Sequence, residues 1–144
     1  LLETTNVSVG RGTDTPFEVV GAPWIDGRKL AAYLNDQVLP GVRFVPIRFK
    51  PNASKFANED CEGVNIIVTD RAAFRSVPVG LAIALGLREL FPDDWEIKNF
   101  NRLLGSEKVF SAVEQGTTLS KLEELIAPEL EEYNKRRQKF VLYP

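Results

Sequence analysis

The stretch from Val77 to Phe91 limits the fold more than any other part of the chain. From Val79 to Leu87 every residue is apolar or glycine, and Arg88-Glu89 is the first return to charge. Pro78 suits a first helical turn and Pro92-Asp-Asp94 a stop, so the spacing predicts a helix over 77–91. A helix that is apolar all round has to be covered on most of its faces. Gly80, Ala82, Ala84 and Gly86 permit close packing against a sheet. The run is too short to span a bilayer, so no membrane-spanning segment is expected and the cover has to come from the rest of the chain. With 144 residues there is enough of it for one domain with a hydrophobic core.

The elements that could supply the cover are legible in order. Thr4 to Val9 alternates weakly and reads as a short strand, and Phe17 to Val20 as a second short strand or edge, closed by a Gly21-Ala-Pro-Trp24 turn. Asp26 is a plausible N-cap for a helix to Val38, with Leu30, Leu34 and Val38 in one stripe and Pro40-Gly41 as the stop. Val42 to Lys50 and Cys61 to Thr69 read as strands, the first inside a layered sheet, with Pro46 marking a bulge or an edge. The link between them is polar and lacks a helix, which makes them antiparallel neighbours rather than a parallel pair. Trp95 to Phe100 reads as a short strand, and Glu107 to Gln115 as a helix stopped by Gly116. Thr118 to Phe140 is helical, broken or kinked at Pro128, with Leu122, Ile126, Leu130 and Tyr133 inward and Glu131–Lys135 and Glu132–Arg136 pairs outward. Phe140 to Tyr143 reads as a final strand or docking tail. The fold class is α/β or α+β, a small mixed sheet with packed helices.

Charge and composition remove several functions. The net charge is -2, against the basic face a general nucleic-acid binder needs, so no nucleic acid is expected as partner. There is no histidine and one cysteine, which excludes an internal disulfide, leaves no ordinary zinc site and takes away the usual neutral-pH base. No metal or cofactor is expected, and acid–base chemistry falls to Asp or Glu or to residues outside the chain. Cys61 reads as an inert thiol. Leu1-Leu-Glu-Thr has neither an initiator methionine nor a lead-in, and the chain reads as a piece of something longer.

The remaining signal is the opening stretch, Asn6-Val-Ser-Val-Gly-Arg-Gly-Thr-Asp-Thr-Pro-Phe17. It is too polar and glycine-rich for a core element and too mixed for a linker, and it predicts a shaped loop of the kind that carries binding. Gly10 and Gly12 permit positive φ or close approach, and Arg11 between them presents a fork of donors suited to carboxylate or phosphate. Arg11 could equally pin the loop by pairing with Glu3 or Asp14. The glycine spacing is not a dinucleotide fingerprint. Trp24 is a stacking platform or ordinary packing. Asp70 and Arg71 follow the second strand of the central pair, where ligands meet layered α/β sheets, although Asp70 could simply cap a turn.

Taken together, that stretch and Gly21-Ala-Pro-Trp24, Gly41-Val-Arg-Phe44, Cys61-Glu-Gly-Val64 and Val68-Thr-Asp-Arg71 resemble the C-terminal part of the DUF1343 family, whose members are similar to the exo-β-N-acetylmuramidase NamZ. The resemblance covers essentially the whole chain. It implies a two-domain protein with an N-terminal Rossmann-like domain absent here, an active-site cleft between the domains, and residues 1–144 as a single substrate-groove domain. It implies a periplasmic, secreted or cell-surface glycosidase that removes terminal N-acetylmuramic acid from peptidoglycan fragments. Its acid catalyst would lie in the other domain, so no catalytic residue is assigned and the chain alone should be inactive. Asn6, Ser8, Arg11, Thr13, Asp70 and Arg71 are carried over as the substrate-binding set, either facing the cleft or supporting the motif. The implied partners are a muropeptide or amino-sugar ligand and the N-terminal domain. Two other readings stand beside this one: a non-catalytic glycan-binding or interaction module of the cell wall, and a phosphate-binding domain suggested only by Gly10-Arg-Gly-Thr13.

Overall fold

Three strands make the sheet, in the order β1-β3-β2: β1 (Val19–Ala22), β2 (Val42–Phe49) and β3 (Cys61–Val68). The computed structural model describes residues 1–142; of the expected C-terminal strand or docking tail, Phe140 instead closes a 3-10 turn and Leu142 is exposed, and Tyr143 lies outside the described residues. β2 and β3 pair antiparallel over their full length, from Val42 opposite Val68 to Phe49 opposite Cys61, as their short polar link requires. β1 also runs antiparallel to β3, with Val20 opposite Val64. The small sheet with packed helices is as expected, but both of its pairings are antiparallel rather than mixed.

The pleat sends Val20, Ala22, Val42, Phe44 and Val64 to one face, where they join the core. Helix α1 (Gly27–Asp36) lies on that face over β2 and β3. Asp26 caps it, its Oδ1 accepting from the backbone N–H of Arg28 and Lys29, both at 3.0 Å. Those bonds, led by that of Lys29, hold the Asp26 carboxyl below the ordinary aspartate pKa. α1 approaches the sheet closely because Gly27 meets Gly63: a Cβ on Gly27 would overlap the backbone carbonyl of Gly63.

The apolar helix is α2 (Ser76–Leu90), and Leu81, Ile83 and Leu87 on it are fully buried. It packs on α1 and is enclosed on its other side by α4 (Glu107–Gln115) and α5 (Leu119–Arg137), after a short α3 (Asn101–Leu104). α4 and α5 start at Ser106 and Thr118, whose hydroxyls accept from Val109 and Lys121 N–H, and α4 stops at Gly116 with φ 77°.

Several expectations change. Residues 4–9 contribute only a single bridge, Ser8 to Gly21, after a 3-10 turn at Leu2–Thr4, because their hydrogen bonds go to turns. β1 runs on through Gly21 and Ala22, which had read as a turn. Val38 falls beyond α1 with φ 51° and points to solvent. β2 is an edge strand with Val45 outside, which accommodates Pro46. Trp95 to Phe100 is turn rather than strand: Trp95 and Phe100 are buried against each other edge-on. α5 continues through Pro128 as one helix. Its expected inward stripe ends early: Leu122 is buried and Ile126 partly so, while Leu130 and Tyr133 are half-exposed because the helix has run past the body.

Candidate functional site

The opening stretch folds as a loop tied at every turn. Ser8 exchanges both backbone hydrogen bonds with Gly21, Phe17 N–H reaches Val9 O at 2.7 Å, and Asn52 N–H reaches Gly12 O at 2.8 Å. Gly10 and Gly12 take φ of 78° and 82°, a region that favours glycine, and a Cβ on Gly12 would collide with the Ala53 backbone. Three of the motif's polar side chains are spent within the chain. Asn6 Nδ2 donates to Asp94 O at 2.7 Å and its Oδ1 accepts from Glu96 N–H at 2.9 Å, so one amide joins segments nearly ninety residues apart. The buried Ser8 Oγ accepts from Gly10 N–H, and Thr13 Oγ1 donates to Gly10 O at 2.7 Å.

Arg11 is what this scaffold presents. It is more than half exposed, its guanidinium pairs with Glu3 Oε1 at 2.5 Å, and it lies 5.3 Å over the Phe17 ring. Beside it, Lys55 Nζ donates to the carbonyls of Thr5 and Glu3, and burial lowers its pKa against the opposing pull of Glu3 and Glu96. Arg11, Lys55, Ser54 and Glu3 line one small pocket of about 70 Å³. Lys55 was legible only as part of a polar loop, since its reach across fifty residues leaves no local pattern.

The Asp70 turn sits between β3 and α2. Asp70 Oδ1 accepts from Ala72 and Ala73 N–H at 2.8 and 3.3 Å, capping its own turn, and Arg71 is exposed. A groove of about 470 Å³ is lined by neighbours of both regions, though not by Arg11, Asp70 or Arg71 themselves. Glu3 and Phe17, the two contacts of Arg11, line one end, and Val68 and Phe74, which flank Asp70, line another part. Its walls are the inner face of β1 and β3 where α1 does not reach, and the first half of α2. Trp24 packs edge-on against Phe91. Cys61 is buried, and desolvation, with Glu59 and Asp60 adding to it, pushes its thiol up to about 11, so it is not a nucleophile at neutral pH. Chemically, the loop offers a fixed, exposed guanidinium with an ammonium nearby, an arrangement fit to hold a carboxylate in competition with Glu3.

The family model described as "Exo-beta-N-acetylmuramidase NamZ, C-terminal" matches residues 1–143. The chain belongs to the NamZ C-terminal family. A relative, the peptidoglycan beta-N-acetylmuramidase NamZ of Bacillus subtilis strain 168, is 37% identical over 146 residues, covering 99% of this chain and 35% of its own length. A DUF1343 family protein from Bacteroides fragilis NCTC 9343 shares the fold with a TM-score of 0.85 at 24% identity, over 96% of this chain and 38% of its own. A second protein of that family and organism aligns with a TM-score of 0.58 at 20% identity, over 99% and 38%. The chain thus spans little more than a third of the length of the proteins it matches.

Proposed function

We propose that this chain is the substrate-groove part of a peptidoglycan-directed glycoside hydrolase that releases terminal N-acetylmuramic acid, acting outside the cytoplasmic membrane where that polymer lies. The observation that carries this reading is the 37% identity to a peptidoglycan beta-N-acetylmuramidase along 99% of the chain. Glycosidic cleavage normally needs two carboxyl groups across the sugar, one able to donate a proton. In this reading the acid comes from the portion that the longer relatives carry beyond the matched region, and this chain supplies binding.

Within that role, Arg11 holds the lactyl carboxylate of muramic acid, exchanging Glu3 for the ligand, with Lys55 adding positive charge. Asp70 and Arg71 approach the sugar from the turn between Val68 and Phe74, two residues of the groove wall. Asn6, Ser8 and Thr13 act through the loop that aims Arg11. The geometry favouring this is the exposed guanidinium on a loop whose Asn6, Ser8 and Thr13 side chains are already committed.

The test is release of free N-acetylmuramic acid from a chromogenic muramic acid glycoside, by this chain and by the full-length protein side by side. Release by the full-length protein alone is the expected result. Release by neither would shift the reading to a non-catalytic glycan-binding module.

A further inference from the structure

A three-stranded sheet has two edges, and an edge strand offers a row of unpaired N–H and C=O groups to any other strand. β3 is the central strand here. Ile66 N–H donates to Glu18 O, so the even-numbered residues of β3 turn their backbone groups toward β1 and the odd-numbered ones toward β2. In β2, Arg43, Val45, Ile47 and Phe49 stand opposite odd-numbered residues of β3. Val42, Phe44, Pro46 and Arg48 therefore aim their backbone groups off the edge. The same alternation turns Gly21 of β1 outward, and the opening stretch closes it: Gly21 N–H donates to Ser8 O at 3.0 Å and Ser8 N–H to Gly21 O at 2.8 Å.

Among the described residues no strand covers β2, and side chains disable its outward positions instead. At Phe44 the Asn35 amide, near the end of α1, stands in for a neighbouring strand. Its Nδ2 donates to Phe44 O at 2.8 Å and its Oδ1 accepts from Phe44 N–H at 3.1 Å. A side-chain amide carries both the donor and the acceptor that a paired residue would present. Pro46, two residues on, has no N–H to offer. Val42 is buried at one end of the row, and Arg48 closes the other with a charged side chain, 85% exposed and paired with Glu62 at 2.7 Å. We infer that Asn35 and Pro46 together lock the β2 edge against strand addition, and that the partner they exclude is β2 of a second copy of this chain. At eight residues β2 is long for an edge strand. Its outer side and that of β3 show Val45 and Ile67, 48% and 39% exposed, an apolar strip that two copies paired about a two-fold axis would continue. Length and apolar surface favour such a pairing, and the lock opposes it.

The lock is independent of the proposed hydrolysis, and its test reads association and amide exchange rather than activity. Asn35→Ala and Pro46→Val are made singly and together in the full-length protein, and the mass of each is followed by sedimentation equilibrium. The double variant N35A/P46V should associate beyond the parent's own state, with a Kd on the order of 100 μM or tighter. N35A alone frees Phe44 but leaves the proline, so it should pair about tenfold more weakly. Exchange of its Phe44 amide hydrogen should quicken about tenfold or more in dilute solution, a readout that decides the matter even if Pro46→Val does not fold. Adding V45K sets like charges across the new junction and should return N35A/P46V to the parent's state. A double variant no more associated than the parent would overturn the inference, because something other than Asn35 and Pro46 would then be closing the edge. So would association that V45K leaves intact, which would come from unfolding rather than strand pairing, or unchanged exchange of the Phe44 amide in N35A.

Discussion

Single residues divide into those that build the loop and the one it presents. Arg11 pairs with Glu3 at an exposed site, and such pairs contribute only about 0–1 kcal/mol to stability. Arg11→Ala in the full-length protein should therefore melt within a few degrees of the parent. It should also bind lactyl-bearing sugars about 10–100-fold more weakly, the range expected for losing a hydrogen-bonded charge. Titration calorimetry with N-acetylmuramic acid and N-acetylglucosamine checks this, and equal loss for both sugars would remove the lactyl assignment. Asn6→Ala should do the reverse. It deletes two side-chain hydrogen bonds that join the opening loop to the 94–96 turn, a loss of about 1–3 kcal/mol in urea unfolding. Asn6 and Arg11 look alike as members of one polar motif. Only the partners in space separate them, and those partners are distant in sequence for Asn6.

At the scale of elements, local chemistry was the readable part. Asp26 announces the start of α1 because a cap bond spans two or three residues; Ser106 and Thr118 cap α4 and α5 in the same local way. The antiparallel β2–β3 pair followed from the length of a link. What could not be read was where a periodic stripe stops finding a partner. Leu122 and Leu130 both belong to the i, i+4, i+8 stripe of α5, yet one is buried and the other half-exposed, because that depends on how far the helix runs beyond α2 and α4. Leu122→Ala should cost about 2–5 kcal/mol, and Leu130→Ala no more than about 0.5 kcal/mol, by chemical unfolding of this chain. The strand expected at 95–100 failed for a related reason. Trp95 and Phe100 are apolar because they bury against each other, and a short apolar run does not disclose whether its partners are strands. Gly63 shows the same limit: glycine at a strand position signals close approach, but which backbone approaches is a matter of tertiary structure. Gly63→Ala should cost about 1–3 kcal/mol by forcing β1 away from β3.

At the scale of the whole molecule, burial of titratable groups gives the fold a preferred pH range. Cys61 is buried at the start of β3, and its thiol is pushed up to about 11, first by desolvation and then by Glu59 and Asp60. Tyr33, on α1, is pushed up to about 12, first by burial and then by the charge of Glu89. Both hold their protons in the folded state at pH values where the unfolded chain has begun to release them. Their contribution is complete below the unfolded values, about 8.5 for Cys and 10 for Tyr, and is lost as pH rises through the folded ones. Lys55 works in the opposite direction near its own range, since burial lowers its pKa and the folded state sheds that proton first. Comparing variants cancels it. Between pH 9 and 10.5 the urea-unfolding free energy of the parent should fall more steeply than that of Cys61→Ala, by up to about 1.4 kcal/mol per pH unit, the slope one differential proton gives. Tyr33→Phe should match the parent at pH 9 in slope and diverge only above about pH 10. At the acid end Asp26 runs the other way: its lowered pKa gives α1 a cap that is present above about pH 4 and lost as the carboxyl protonates. Parallel slopes for parent and Cys61→Ala across the alkaline range would mean that the thiol is solvated in the folded state. The packing around the start of β3 would then have to be looser than described.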